Sequence, residues 1–211
     1  MKKQLLTALV VAASLCGYAQ TKGTNALGFG ITSQIYKSKY LNGDSANQEV
    51  NEQKFNSYGL SYGLFIKDNT KLGIEFNYGT QNNNFKDHVS GSKTKTYGGG
   101  INYQHYYPLV QRLYAYAGGR VYYSTSKVEN GNDNYEDATT NDYSVGVNGG
   151  VTWFVSKRFA LETSLLSANA SYSKMKRTNT GTGSYEYTAS SFNLSSTGSL
   201  SNLGFKIYVL F

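Results

Sequence analysis

The chain has 211 residues and a formal net charge of +7, from 20 Lys and Arg against 13 Asp and Glu. Aromatic residues make up 15% of it and charged residues 16%, a balance that argues against intrinsic disorder. One Cys rules out a disulfide scaffold, and the abundance of Gly (23) and Tyr (20) disfavours a helical bundle.

The N-terminal segment has the three parts of a secretory signal peptide. Two lysines begin it, an apolar run covers residues 5–15, and small residues precede a cleavage site after Ala19. The run is shorter than the roughly 20 residues that a membrane-spanning helix needs. We therefore expect residues 1–19 to be a signal peptide and residues 20–211 to form the mature domain. A short anchor helix is one alternative, and lipidation at Cys16 is another, which the bulky residue before it disfavours.

The mature sequence alternates between apolar and polar residues with a period of two, which is typical of β-strands with one apolar face. Eight segments show the alternation, at about 27–35, 57–66, 72–79, 97–107, 113–123, 143–155, 159–165 and 203–211. In the last strand the apolar positions change from even, at Phe192 and Leu194, to odd. A bulge within Ser195–Ser201 would explain the change, as would an extension of that stretch beyond a membrane.

Short and long connections alternate along the chain. The short ones lie at 67–71, 108–111 and 156–158, and the long polar ones lie at 38–54, 80–95, 124–141 and 173–189. Short turns on one side and long loops on the other are the layout of a transmembrane β-barrel. The sequence therefore predicts an all-β fold, an eight-stranded antiparallel up-and-down transmembrane β-barrel with four surface loops.

The charges on the predicted strands indicate which face is enclosed. Glu75, Arg120, Glu162 and Lys206 all fall on the polar face, where Gly, Ser and Asn are common and an apolar core could not form. A charge facing lipid costs about 2–4 kcal/mol at the midplane, whereas charges inside a narrow barrel can pair. We expect a network of these four residues in the lumen, with a contact between Glu162 and Lys206. The alternative is four solvated charges on a half-exposed sheet.

Aromatic residues concentrate near the short turns. Tyr107, Trp153 and Phe159 are predicted to lie at a membrane interface, where aromatic rings form girdles around membrane barrels. The ordinary preference of aromatic residues for strands is the alternative explanation.

The C-terminal residues carry a resemblance to a known family. Apolar residues at steps of two end in an aromatic residue, in the order Leu203, Phe205, Ile207, Val209 and Phe211. This pattern resembles the C-terminal assembly signal of bacterial outer-membrane proteins. The mature chain is similar to the small outer-membrane β-barrel domain family, the OmpA/OmpX-like barrels of the porin family. The resemblance implies an integral protein of the cell outer membrane, with membrane lipid, lipopolysaccharide and the barrel-assembly machinery as partners. Nothing follows the barrel, so we expect no peptidoglycan-binding domain.

The sequence predicts no catalytic, metal or cofactor site. His88 lies in a long connection and His105 lies among tyrosines, and no serine is placed to complete a triad with either. Five acids in the third loop could hold Ca²⁺, although solvation explains them as well: Glu129, Asp133, Glu136, Asp137 and Asp142. The fourth loop carries the cations Lys174, Lys176 and Arg177, which could meet lipopolysaccharide phosphates. Dispersed charge and export argue against nucleic-acid binding.

Four functions remain open at this point. The first is a structural or surface-interaction protein of the outer membrane, whose ligand at the surface loops is unknown. The second is a narrow pore or small-solute conduit, and the third is a lipid-modifying outer-membrane enzyme. The fourth is a soluble secreted barrel that binds an apolar ligand.

Overall fold

A computed structural model describes residues 20–40, 49–85, 92–130, 137–178, 186–198 and 205–211. The signal peptide predicted at 1–19 and the part of the expected last-strand bulge at 199–201 lie outside these ranges. Nine strands are described: β1 (Asn25–Tyr40), β2 (Glu49–Lys67), β3 (Thr70–Phe85), β4 (Ser92–Val110), β5 (Leu113–Asn130), β6 (Asp137–Phe154), β7 (Phe159–Thr178), β8 (Glu186–Gly198) and β9 (Phe205–Leu210). Within the described ranges, no helix is long and apolar enough to span a membrane.

The strands form one closed antiparallel sheet. β1 to β7 each pair with the next strand along the chain, and β9 closes the ring by pairing with both β7 and β1. β8 pairs with the outer half of β7, so β8 and β9 together occupy the eighth position. The closure continues to the end of the chain, where Asn25 and Phe211 exchange two backbone hydrogen bonds of 2.8 and 3.0 Å. The predicted eight-stranded up-and-down architecture is confirmed.

The strands extend well beyond the segments in which apolar residues alternate. β3 runs to Phe85 and β4 starts at Ser92, so most of the loop expected at 80–95 is strand, and the other three long connections are shortened in the same way. The expected loop boundaries are therefore wrong. Beyond the apolar zone both faces of a strand meet water, so backbone pairing continues although the alternation that marks it in sequence is lost.

The apolar face of the sheet points outward. Large apolar side chains on the outside are exposed, among them Ile31, Leu60, Ile74 and Val147, whereas several polar residues on the inside are buried. The buried side chains lie mostly inside the barrel near the short turns. A sheet with this arrangement can bury its outer surface only against an apolar surrounding such as lipid hydrocarbon.

Strand β7 contains an irregularity that the sequence did not indicate. Gly149 of β6 pairs with Leu166, whereas Gly150 pairs with Ser164, so one extra residue, Leu165, is inserted in β7. The outward positions of β7 therefore change from odd numbers near the turn to even numbers farther along.

One seam of the barrel is only partly paired in the described residues. Pairing between β1 and β9 runs from Ala26 to Gly30, opposite Leu210 to Lys206. From Ile31 to its end, β1 pairs with β2 alone among the residues that the structure describes. Over the same range, the described residues of β8 pair with β7 alone.

Candidate functional site in the barrel lumen

Glu162 lies at the centre of a hydrogen-bond network that crosses the lumen near the short turns. Its Oε1 accepts hydrogen bonds from Gln104 Nε2 and Tyr208 OH, each at 3.2 Å. Its Oε2 accepts from Tyr106 OH and Thr152 Oγ1, each at 3.1 Å. Four donors from β4, β6 and β9 therefore converge on one carboxylate of β7. Charge-assisted hydrogen bonds of this kind are the strong ones, so the network holds opposite walls of the barrel together.

A buried lysine supplies the counter-charge. Lys71 Nζ lies 3.7 Å from Glu162 Oε2 and 4.0 Å from the centre of the Tyr208 ring. We call the set Lys71, Gln104, Tyr106, Thr152, Glu162 and Tyr208 the plug. Sequence analysis placed Lys71 in a turn. Lys71 is two residues before Gly73, which lies on the lumen face of β3, so the alternation of the strand places Lys71 on the same face. Extending the alternation by two residues would have identified it from the sequence.

Aromatic and aliphatic side chains form a floor beneath the plug. Phe65, Phe154 and Leu210 are buried there with small residues of β1 and β7, and Tyr116 is buried at the level of its cross-strand partner Tyr106. The Tyr106 ring contacts Phe65, Tyr116 and Phe154 at centroid distances of 5.7, 6.1 and 6.0 Å. The short-turn end of the lumen is thus filled by side chains, as expected for a barrel of eight strands.

Three charged residues form a second cluster on the loop side of the plug. Lys206 Nζ lies 3.1 Å from Glu75 Oε2, and Arg120 Nη1 lies 3.8 Å from Glu75 Oε1. Glu75 is buried, while the Arg120 and Lys206 side chains are each 40% exposed. The structure therefore brings three of the predicted lumen charges together in one cluster and places Glu162 in the plug.

The expected contact between Glu162 and Lys206 is replaced by two other ion pairs. The two residues are direct cross-strand partners, as their similar height in the barrel predicted. However, Lys71 lies next to Glu162, and the Lys206 side chain reaches Glu75 instead. Register fixes which Cα atoms are neighbours, but inside a barrel a long side chain can also reach across the lumen.

A cavity of about 300 Å³ adjoins both clusters. Its polar lining includes Asn77, Asn102 and Asn148, together with the charged groups of Glu75, Arg120 and Lys206. Ile31 and Phe205 also line it, so the cavity reaches the partly paired seam between β1 and β9.

The outer face carries the three aromatic residues predicted for an interface. Tyr107, Trp153 and Phe159 all point outward near the short turns, with about half of each side chain exposed. Of the C-terminal assembly pattern, Phe205, Ile207, Val209 and Phe211 are described, and the first three alternate outward along β9. Leu203 lies outside the described residues.

A second aromatic girdle, which sequence analysis missed, extends over β2 to β8 at the other edge of the apolar zone. Cross-strand pairing links its members around the sheet: Tyr58 with Tyr78, Tyr78 with Tyr97, Tyr123 with Tyr143, Tyr143 with Tyr172, and Tyr172 with Phe192. All are outward and exposed. We call this set the upper girdle. In the sequence, each of these residues is an aromatic residue at the point where the apolar alternation of its strand ends, and this position could have identified the upper girdle.

The spacing of the two girdles matches the thickness of a membrane. Tyr97 and Tyr107 on β4 are ten residues apart, as are Tyr143 and Trp153 on β6. Ten residues span roughly 33 Å of strand, and a tilt of about 40° reduces this to roughly 25 Å. The apolar band of outer-membrane barrels is about 25 Å tall.

The candidate catalytic and metal residues that the structure describes are not brought together. His105 Nδ1 lies 2.9 Å from Thr70 Oγ1, and its ring contacts Tyr107 at 4.7 Å, as expected for an interfacial residue. His88, Asp133 and Glu136 lie outside the described residues. Within the described part of the chain, no group of His, Cys, Asp and Glu could hold a metal ion.

Comparison with known proteins agrees with this architecture. No protein-family model matches the chain, and no curated protein matches its sequence. Among solved structures, the outer membrane protein OprG from Pseudomonas aeruginosa is similar, with a TM-score of 0.56 at 11% identity, over 91% of this chain and 97% of OprG. The chain has the fold of an outer-membrane β-barrel. Neisserial surface protein A is a further neighbour of this barrel, with a TM-score of 0.46 at 16% identity, over 90% of this chain and 98% of that protein.

Proposed function

We propose that the chain is an integral outer-membrane protein of the structural or surface-interaction type, with a closed lumen. Its placement in a membrane is supported by the outward apolar face, the two girdles about 25 Å apart and the predicted signal peptide. Outer-membrane lipid surrounds the barrel, and the C-terminal pattern resembles the signal that the assembly machinery reads.

The proposal that the lumen is closed rests on the contacts within the plug. Glu162 accepts four hydrogen bonds from three other strands and lies beside Lys71, so the network connects strands across the lumen. An ion or solute could pass only if these contacts broke, which would leave buried charges without partners. A permanently open pore is therefore disfavoured.

Conductance across a planar bilayer tests the closed lumen. The parent protein should give no steady conductance, and Tyr106→Ala combined with Tyr208→Ala should open one by removing two rings from the plug. The matched control is Tyr103→Ala combined with Tyr107→Ala, which removes two outward rings and should leave the lumen closed. Gel mobility before and after boiling verifies that each variant is folded. Steady conductance through the parent would contradict the proposal.

A small-solute conduit is the second candidate, and the seam between β1 and β9 favours it. The lumen cavity reaches this seam at Ile31 and Phe205, above the last paired residues, Gly30 and Lys206. A conduit of this kind predicts faster entry of a hydrophobic fluorescent probe into vesicles that contain the barrel. Equal entry rates with and without the barrel would rule it out.

A further inference from the structure

The lumen cavity on the loop side of the plug contains a carboxylate oxygen without a hydrogen-bond partner. Glu75 lines this cavity of about 300 Å³, and only 6% of its surface is exposed. Its Oε2 accepts a hydrogen bond from Lys206 Nζ at 3.1 Å, whereas its Oε1 is buried and accepts none within the described part of the chain. Arg120 Nη1 lies 3.8 Å from Oε1, which is too long for a hydrogen bond. Buried polar atoms are nearly always hydrogen-bonded, so this oxygen is matched to a donor that enters the cavity.

Two cations beside this oxygen have unused donors. The Arg120 guanidinium carries five N–H groups, and its hydrogen bond among the described residues goes to Asn169 Oδ1 at 3.4 Å. The Lys206 ammonium carries three N–H groups, one of which is donated to Glu75. Both cations line the cavity, yet each side chain is 40% exposed, so the cavity is open to water at this point. A dissolved molecule can therefore reach several charged donors and one charged acceptor at the same place.

The charges around the cavity favour a ligand of net negative charge. Glu162 also lines the cavity, but Lys71 Nζ lies 3.7 Å from its Oε2 and balances it. With this pair included, three cations meet two anions. Another lumen-facing acid, Asp142, lies four residues beyond Gly146, the cross-strand partner of Arg120, which is roughly 13 Å along β6. Among these residues, one positive charge at the cavity therefore stays unbalanced.

Uncharged polar groups line much of the remaining wall. Asn77, Asn102 and Asn148 are among them, and each amide both donates and accepts hydrogen bonds. Gly30 and Gly59 line the cavity without side chains, which leaves space beside the charged groups. The volume is at the lower end of the range of about 300–1,000 Å³ that is typical of small-molecule sites. A lining of this kind is suited to a single ring that carries several hydroxyl groups.

We propose that the cavity binds a small polyhydroxylated carboxylate, such as a sugar acid. The carboxylate lies between Arg120 and Lys206, where charge-assisted hydrogen bonds are strong, and one hydroxyl group donates to Glu75 Oε1. A carboxylate without hydroxyl groups would bring a second anion to Glu75 with no donor between them. A neutral sugar would leave the donors of the two cations without an anion. The inference rests on the proposed function in one respect, because the plug forms the floor of the cavity.

Isothermal titration calorimetry of the folded barrel tests the site. Lauryldimethylamine oxide micelles are suitable because this detergent carries neither a sugar nor a carboxylate. Three ring compounds serve as probes: glucuronate has both the carboxylate and the hydroxyl groups, glucose lacks the carboxylate, and cyclohexanecarboxylate lacks the hydroxyl groups. Glucuronate should bind with a Kd of roughly 1 mM or tighter. Glucose, cyclohexanecarboxylate and inorganic phosphate should each bind at least about tenfold more weakly.

Two substitutions of different kinds locate the bound glucuronate. Arg120→Gln removes a donor of the carboxylate and should weaken glucuronate binding at least about tenfold. Asn102→Asp keeps the shape of the side chain but adds a negative charge to the cavity, so it should weaken glucuronate binding as well. Arg177→Gln is the matched control and should leave binding unchanged, since Arg177 is eight residues beyond Asn169 on β7, or roughly 26 Å along the strand. Gel mobility before and after boiling verifies that each variant is folded.

The remaining outcomes separate failure of this site from failure of the plug. The site would be overturned if glucuronate gave no binding heat, because the cavity would then hold water only. It would also be overturned if cyclohexanecarboxylate or inorganic phosphate bound as tightly as glucuronate, or if both substitutions left glucuronate binding unchanged. A parent protein that binds glucuronate but conducts steadily would contradict the closed lumen and support the site. A parent protein that neither conducts nor binds glucuronate would contradict the site alone.

Discussion

Lys71 and Glu162 form an ion pair across the interior of the barrel, with Nζ 3.7 Å from Oε2, although their strands β3 and β7 are not neighbours in the sheet. Both residues are almost completely buried, with 2% and 4% of their surface exposed. A buried charge that loses its partner is strongly destabilising, whereas removing both charges together is often tolerated. The pair therefore links the stability of the barrel to the proposed closure of its lumen.

Glu162→Gln should lower the free energy of unfolding by about 3 kcal/mol or more, because Lys71 is left buried without a carboxylate. Lys71→Met combined with Glu162→Gln should recover much of this loss, since neither charge then remains. The free energies can be measured by urea unfolding of the protein in detergent micelles, followed by gel mobility. Lys71→Met alone completes the set of variants. If the free-energy losses of Glu162→Gln and Lys71→Met add up to the loss of the double variant, the two residues do not interact.

A charge swap between Glu162 and Lys206 provides the matched control. The two residues are cross-strand partners, but Lys206 contacts Glu75. Exchanging them as Glu162→Lys with Lys206→Glu should therefore not restore stability, because it places a lysine at position 162 beside Lys71 in the plug and a second glutamate beside Glu75 in the second cluster. Recovery by this swap would show that the pair predicted from the sequence is the real one.

The alternation of residue types was sufficient to predict the faces of the strands. Each step of two residues repeats the same environment, so the outward direction of Tyr107 and the inward direction of Glu75 follow from local sequence. The partner of Glu162 could not be predicted in this way. A contact across the lumen depends on the diameter of the barrel and on side-chain length, neither of which leaves a periodic signal. The inserted Leu165 was missed because Leu165 and Leu166 are both apolar, so the sequence does not indicate which of the two lies on the outward face.

The strand ends were harder to predict than the strand faces for a physical reason. The upper girdle marks where the apolar alternation stops, as at Tyr78 on β3 and Tyr97 on β4, but pairing continues to Phe85 and Ser92. Hydrogen bonds between polar strands need no apolar partner. The point in the sequence where the apolar alternation stops therefore indicates the membrane boundary and not the end of the strand.

Gly28 is required by the close approach of two neighbouring side chains. A Cβ atom at this position would clash with Oγ of its cross-strand partner Ser61 and would lie 2.5 Å from Cε1 of its other partner, Tyr208, whereas a Cβ at Gly30 would lie 3.6 Å from Cγ of Lys206. Gly28→Ala should therefore lower the free energy of unfolding by about 1–3 kcal/mol, because the Ser61 side chain and the Tyr208 ring must both move. Gly30→Ala is the matched control and should be neutral or slightly stabilising. Equal effects of the two substitutions in urea unfolding would contradict this packing.

Glu52 lies beyond the upper girdle, where its charge can be titrated from water. Hydrogen bonds from Lys54 and then from Lys37 hold the pKa of Glu52 below its ordinary value of 4.5. The stabilisation from a lowered carboxyl pKa is present above the unfolded pKa and is lost as the pH falls through the folded one. Carbon-detected NMR titration should find the lowered pKa, and Lys54→Gln should raise it. Lys95→Gln is the control and should leave the pKa of Glu52 unchanged.

The depth of an outward residue should determine the cost of placing a charge there. Val147 lies between Tyr143 and Trp153 on β6, near the middle of the apolar zone, whereas Thr139 lies four residues beyond Tyr143 on the water side. Val147→Arg should lower the free energy of unfolding in vesicles by about 2–4 kcal/mol, and Thr139→Arg by about 0–1 kcal/mol. The same two variants in a soluble barrel would differ little, because both positions would face water. An equal and small cost at both positions, measured by urea unfolding from phosphatidylcholine vesicles, would show that the apolar face does not meet hydrocarbon.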